Sequence, residues 1–164
     1  MMLLFLYSCR DNSPGDNPVA GETVLQLKTP SGVDFDWKAA PNALVNGTSC
    51  KITLSEGSPA IGVEASSAGE YEIIIPAEAY SRARKCFVLP PSQIPSASGA
   101  ADPRFFPMHA RTDASGEVYL EPLVGIVKIN VKGAGRLMSA YLSAPSLSGT
   151  FGFDGKSLSA DSSY

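Results

Sequence analysis

Proline and glycine punctuation most constrains this chain. It holds 13 Pro and 15 Gly in 164 residues, and past residue 20 they recur at short intervals. Proline removes a backbone donor and clashes inside a helix, and glycine makes helical ordering costly, so long helices are excluded. Between the breaks lie short runs of β-branched and aromatic residues bounded by turn formers, the pattern of strands. Glu22 to Lys28 (ETVLQLK), Val33 to Trp37 (VDFDW), Lys51 to Leu54, Ala60 to Ala65, Tyr71 to Ile75 (YEIII) and Cys86 to Leu89 (CFVL) read this way. So do Phe105 to Arg111, Glu117 to Leu120, Leu123 to Lys132 (LVGIVKINVK), Leu137 to Ser143 and Leu147 to Phe153. Asn46-Gly47 is a hairpin turn signal, and Gln93 to Pro103 reads as loop. Short strands separated by turns, with no amphipathic helical window, predict an all-β sandwich of about ten strands. The pattern does not choose between Greek-key and up-and-down connectivity.

Composition narrows the function classes. With 44% hydrophobic and 18% charged residues the chain builds a core and needs neither metal nor disulfide to fold. A net charge of −3 argues against nucleic-acid binding, which needs clustered Lys and Arg. The one dense basic cluster, Arg82, Arg84 and Lys85, reads as a solvated loop. A single histidine, His109, excludes a multi-histidine metal or catalytic centre. A Cys86–His109 nucleophile pair is disfavoured because Cys86 sits in an apolar run, where a thiol is inert. Asp34 and Asp36 share one strand face and read as solvated rather than cation-binding. Gly133-Ala134-Gly135 reads as a turn, and no nucleophile elbow or phosphate loop occurs. The expectation is a non-enzyme without cofactor or metal.

The first residues carry a different signal. An apolar run, too short to span a bilayer, ends at Ser8-Cys9 and gives way to the polar Arg10 to Asn17. That is the form of a secretory signal, and Leu6-Tyr7-Ser8-Cys9 resembles the lipobox of bacterial lipoproteins, whose cysteine is acylated and becomes the mature N-terminus. Two or more acyl chains give stable anchorage. The other reading is an ordinary N-terminal strand with a free Cys9. On the lipobox reading, residues 1–9 are the leader, 10–20 a flexible tether, and 21–164 one β-sandwich domain. Cys50 and Cys86 then remain, either as a disulfide in an oxidising compartment or as two separately buried thiols.

A longer succession points to a family. YEIIIP (71–76), LPPSQ (89–93) and FPMHA (106–110) follow one another, then GEVYLEPLVGIVKINVKG (116–133) and LSG (147–149). Their order resembles the N-terminal domain of fimbrillins, surface lipoproteins of Bacteroidetes, over about half the chain. The resemblance implies a transthyretin-like sandwich, an outer-membrane lipid anchor at Cys9, and a structural or adhesive role as pilus subunit, tip or anchor. In that family proteolysis after an arginine removes the leader and first strand, and a neighbouring subunit's strand fills the groove. Here Val24, Leu25 and Leu27 would belong to the exchanged strand, and Leu123 to Lys132 would form the central one. Two departures stand out. Family members usually carry a second domain, whereas this sequence stops at Tyr164, and no arginine lies between the tether and Val33.

The alternative is a glycan-binding module of the cell surface, with Trp37, Tyr71 and Tyr80 as stacking platforms for sugar rings. Core packing and interface contacts are the better default for these aromatics.

Overall fold

A computed structural model describes residues 22–64, 69–92, 100–113, 116–125, 132–133, 135–136 and 147–160. The leader, the tether, most of the Leu123 to Lys132 segment and all of Leu137 to Ser143 lie outside the described residues.

Thirteen strands are described, in chain order β1 (Glu22–Lys28), β2 (Asn42–Val45), β3 (Thr48–Lys51), β4 (Thr53–Ser55), β5 (Ser58–Glu64), β6 (Tyr71–Ile75) and β7 (Tyr80–Ser81). There follow β8 (Cys86–Leu89), β9 (Met108–Thr112), β10 (Gly116–Tyr119), β11 (Glu121–Pro122), β12 (Gly149–Phe153) and β13 (Leu158–Ala160). The described helical elements are three-residue 3-10 turns at Trp37–Ala39, Ala77–Ala79 and Pro103–Phe105. The chain is an all-β sandwich, as the spacing of its breaks requires.

The strands form three sheets in the orders β10-β1-β5-β4, β11-β9-β6-β2-β3 and β13-β12-β8-β7. All ladders are antiparallel except that of β1 with β10, which is parallel. The side-chain period of two explains the layering. On β6, Ile73 and Ile75 enter a core shared with Leu25, Leu27, Ile61, Val63 and Val118 of the first sheet. Ile74 points the other way, into a smaller cluster with Phe87 and Phe153 of the third sheet. The continuous apolar run "III" is thus a strand buried on both faces. The second sheet is the middle layer.

Local chemistry sets the hairpins. Asn46 and Gly47 both have positive φ, 48° and 80°, which two-residue hairpins require. The Asn46 amide donates to Glu70 O at 3.0 Å and its oxygen accepts from Glu72 N at 2.8 Å, tying the turn to β6. The Arg82 guanidinium donates to Gly47 O at 2.9 Å and lies so close that a Cβ at position 47 would collide with it. Glu56 and Gly57, at φ 51° and 82°, repeat the device between β4 and β5.

The strand from Val33 to Trp37 is not formed. Phe35 makes one parallel bridge to Ala101, and Asp36 accepts from Lys38 N at 3.1 Å, starting a 3-10 turn. The alternation is nonetheless real in burial: Trp37 is buried, and Phe35 packs against Trp37 and Phe106 with ring centroids 5.8 and 5.1 Å apart. A side-chain cap outcompetes the ladder here. Four short strands were not anticipated, β2, β7, β11 and β13, the last paired with β12, and the single strand read over Lys51 to Leu54 is instead β3 and β4, parted at Ile52. Leu123, Val124 and Gly125 are not in a strand.

Candidate functional site

The strand singled out from sequence occupies an inner position. β1 runs antiparallel to β5 from Glu22↔Glu64 to Gln26↔Ala60 and parallel to β10 from Leu25↔Gly116 to Lys28↔Tyr119. Both of its edges are therefore hydrogen-bonded. Leu25 is 0% and Leu27 1% exposed, whereas Val24, of opposite parity, is 36% exposed. Of the three candidate residues, Leu25 and Leu27 fill the core and Val24 lies on the outer face. Each buried leucine contributes about 1.5–3 kcal/mol relative to exposure.

At the end of the strand Lys28 Nζ meets Glu117 Oε1 at 2.9 Å. The hydrogen bond and charge of Glu117 raise the Lys28 ammonium above its ordinary value, and the same contact holds the Glu117 carboxyl below its own. A pair so open to solvent orients more than it stabilises. Beyond it, Leu120 N donates to Lys28 O at 2.9 Å.

If β1 left, two rows of main-chain donors and acceptors, on β5 and β10, would face an empty slot. Its floor would be the side chains that now enclose Leu25 and Leu27. Such a slot accepts one extended strand, with apolar side chains at alternate positions.

The proposed sugar platform is not assembled. Trp37 and Tyr71 are buried, 8% and 6% exposed, within the larger core. Tyr80 packs on Phe87 and Phe153, centroids 5.0 and 6.0 Å away, and burial pushes its phenol above the ordinary value. These aromatics face inward because the cores of a small sandwich need their area. The openly exposed aromatic on a strand is Tyr119, at 69%, which its place on an alternating strand left unremarked.

The pairing of Cys50 with Cys86 is not formed. Cys86 carries a free buried thiol, whereas Cys50 is disulfide-bonded. Cys50, on β3, points into the core between the first and second sheets, and Cys86 belongs to β8 of the third. Cys9 lies outside the described residues.

One cluster escaped the sequence reading. His109 is 5% exposed, with Nε2 at 3.5 Å from Glu72 Oε1. Arg111, two residues along β9, donates to the same oxygen from Nη2 at 2.7 Å and from Nε at 3.2 Å. Burial acts to raise the Glu72 carboxyl, but the Arg111 hydrogen bond and charge, aided by His109, outweigh it and hold the group below its usual value. The parity of His109 and Arg111 was legible; the β6–β9 register that brings Glu72 beside them was not. Nε2 is directed at Glu72, and Cys86 lies on β8 of the third sheet.

No family model matches the chain, nor does any curated protein or solved structure.

Proposed function

We propose that this chain is a lipid-anchored cell-surface protein of fimbrillin type, a structural or adhesive component of a pilus that joins its neighbours by strand exchange at β1. One observation carries the reading: β1 lies between β5 and β10 and buries Leu25 and Leu27 as its contribution to the core. Loss of a peripheral strand would leave one row of unpaired main chain, whereas loss of this one leaves a two-sided slot that only another strand satisfies. The parallel pairing with β10 beside the antiparallel pairing with β5 gives the slot a direction.

Anchoring rests on the lipobox-like Leu6-Tyr7-Ser8-Cys9, and its chemistry is exclusive. Acylation consumes the Cys9 sulfur as a thioether; with Cys86 free and Cys50 disulfide-bonded, a disulfide at that sulfur is the competing state, and it excludes the anchor. On this reading the protein sits at the outer membrane, held by its acyl chains, and its partners are other pilus subunits and the surface to which the pilus adheres.

The test is a denaturing gel of the native surface fraction, with and without boiling, followed by intact mass of the monomer band. The expected result is a ladder of multiples that collapses on boiling. The mature monomer would lack β1, or would begin at a diacylated Cys9 where it remains the anchoring unit. A single band at monomer mass that retains β1, with an unmodified Cys9 or a Cys9–Cys50 disulfide, removes both the polymer and the anchor.

A further inference from the structure

Two turns of the third sheet lie side by side. Arg82-Ala83-Arg84-Lys85 joins β7 to β8, and Asp154-Gly155-Lys156-Ser157 joins β12 to β13. β8 and β12 are neighbours, and Phe153 N donates to Lys85 O at 2.8 Å, which stitches the base of one turn to the other. Arg82, Arg84, Lys85 and Lys156 are all exposed. The ion pairs among the described residues engage Lys28, Arg104, His109 and Arg111, so none of these four cations meets a carboxylate there. The one acid on the two turns, Asp154, is directed into its own turn, accepting from Lys156 N, Ser157 N and Ser157 Oγ at 2.8, 2.7 and 3.1 Å. Arg111 reaches the same turn, its Nη2 3.7 Å from the position a Cβ on Gly155 would take, but Glu72 already balances it.

Like charges gathered on adjacent turns repel one another, and in a chain with 16 acidic and 13 basic residues the fold leaves these four without a counter-charge. Lys85 adds a further cost. Its φ of 50° is a conformation that glycine or asparagine takes more readily, yet the position carries a cation. We propose that the two turns form a docking surface for an anionic polysaccharide, one bearing carboxylate or sulfate groups, whose charges supply what the chain withholds. The two arginines present planar donor forks that fit such oxygens in pairs, and the two lysines add point charges. Arg82 gives Nη1 to Gly47 O at 2.9 Å, which fixes its guanidinium beside the β2–β3 turn. The other residues of the turns select among anionic partners. They are Ala83, Gly155 and Ser157 rather than large apolar groups, so a membrane gains no buried hydrocarbon here. Nor do the turns carry an aromatic ring, on which single-stranded nucleic acid would stack. A charged sugar polymer needs neither. This surface uses no part of β1 or of the anchor, so it does not depend on the strand-exchange reading.

The test uses the full chain and two probes, heparin for sulfate and polygalacturonate for carboxylate, with binding followed by titration calorimetry from low to physiological salt. Binding to at least one probe is expected, weakening as salt rises. Arg84→Gln/Lys156→Gln takes one cation from each turn. It should weaken binding about fivefold for each charge removed and flatten the salt dependence. Lys38→Gln/Arg104→Gln removes as much charge from turns packed on the larger core and should bind like wild type. The charge-keeping Arg84→Lys/Lys156→Arg should retain most of the affinity. All the substituted side chains are exposed, so the variants should melt near wild type; should a pair melt early, Lys156→Gln alone is compared with Lys38→Gln alone. No binding to either probe at low salt overturns the proposal, and so do equal losses in the two Gln pairs, which would mean undirected attraction. Tighter binding to phosphatidylglycerol vesicles or to single-stranded DNA than to either polysaccharide overturns it as well.

Discussion

The two faces of the middle sheet make opposite kinds of contact. On one side Ile73, Ile75, Met108 and Ala110 meet Leu25, Leu27, Ile61 and Val63 in a large apolar core. On the other Ile74 meets Phe87 and Phe153 in a small, mostly aromatic cluster that shares its face with Glu72, His109 and Arg111. One strand supplies both faces by alternation, so the difference comes from what each neighbouring sheet offers. Aliphatic side chains fill a layer without polar atoms, and such a seam responds only to volume. The aromatic seam admits a titratable ring and two salt-bridging groups, and it responds to charge as well. The first seam should set whether the domain folds, and the second how firmly its third layer is attached.

The harshest way to break this contrast is a charge in the first seam. Leu25→Asp places a carboxylate at a position with 0% exposure, flanked by the apolar side chains of β5 and β10. A buried unpaired charge costs several kcal/mol, against a total stability of about 5–15 kcal/mol for a domain. The expected outcome is loss of cooperative unfolding by circular dichroism. A Leu25→Asp protein that melts cooperatively near the wild-type midpoint would mean that β1 is not integral to the core, and the strand-exchange reading would lose its slot.

Phe87→Ala sharpens the comparison. Phe87 is 0% exposed and lies between Tyr80 and Phe153, so truncation should cost about 3–5 kcal/mol. Its effect should be local. Amide exchange should quicken in β8 and β12 and stay slow in β1 and β5, because the larger core does not contain this ring. Equal loss of protection in all four strands would show that the two seams unfold as one.

How far sequence alone reaches follows the same division. The strands β1, β6 and β8 could be bounded to the residue, since an apolar run closed by a turn former or proline leaves little freedom. Once the strands are placed, the period of two gives the shared inward face of Leu25 and Leu27, and of Ile73 and Ile75. What parity cannot supply is which strand lies beside which. Glu72 and Arg111 are 39 residues apart in sequence, and nothing local announces that β6 and β9 are neighbours in a register that stacks them. The choice left open for the aromatics has a related cause: a Trp or Tyr on an alternating strand has a known side but not a known environment. Trp37 also shows local chemistry winning, because the Asp36 cap bends the chain out of the ladder one residue earlier.

The gentlest probe is acid. Burial alone would raise the Glu72 carboxyl, but the hydrogen bond and charge of Arg111, with a further contribution from His109, leave it below its ordinary value. A carboxyl lowered by folding stabilises the native state above its unfolded pKa, about 4.3, and that contribution is lost as pH falls through the folded value. Stability should therefore decline on the acid side of about pH 4, with part of the slope removed by Glu72→Gln. Glu72 is substantially solvated, its side chain 41% exposed, so the effect should be a small shift in the denaturant midpoint at unchanged m-value. Asp102 and Asp154 are lowered as well, by Arg104 and by the backbone donors of their own turn, and they lie outside the aromatic seam. Their shares of the acid slope should survive Glu72→Gln intact. A slope that vanishes entirely in that variant would mean that the aromatic seam, and not the exposed turns, governs how this sandwich meets low pH.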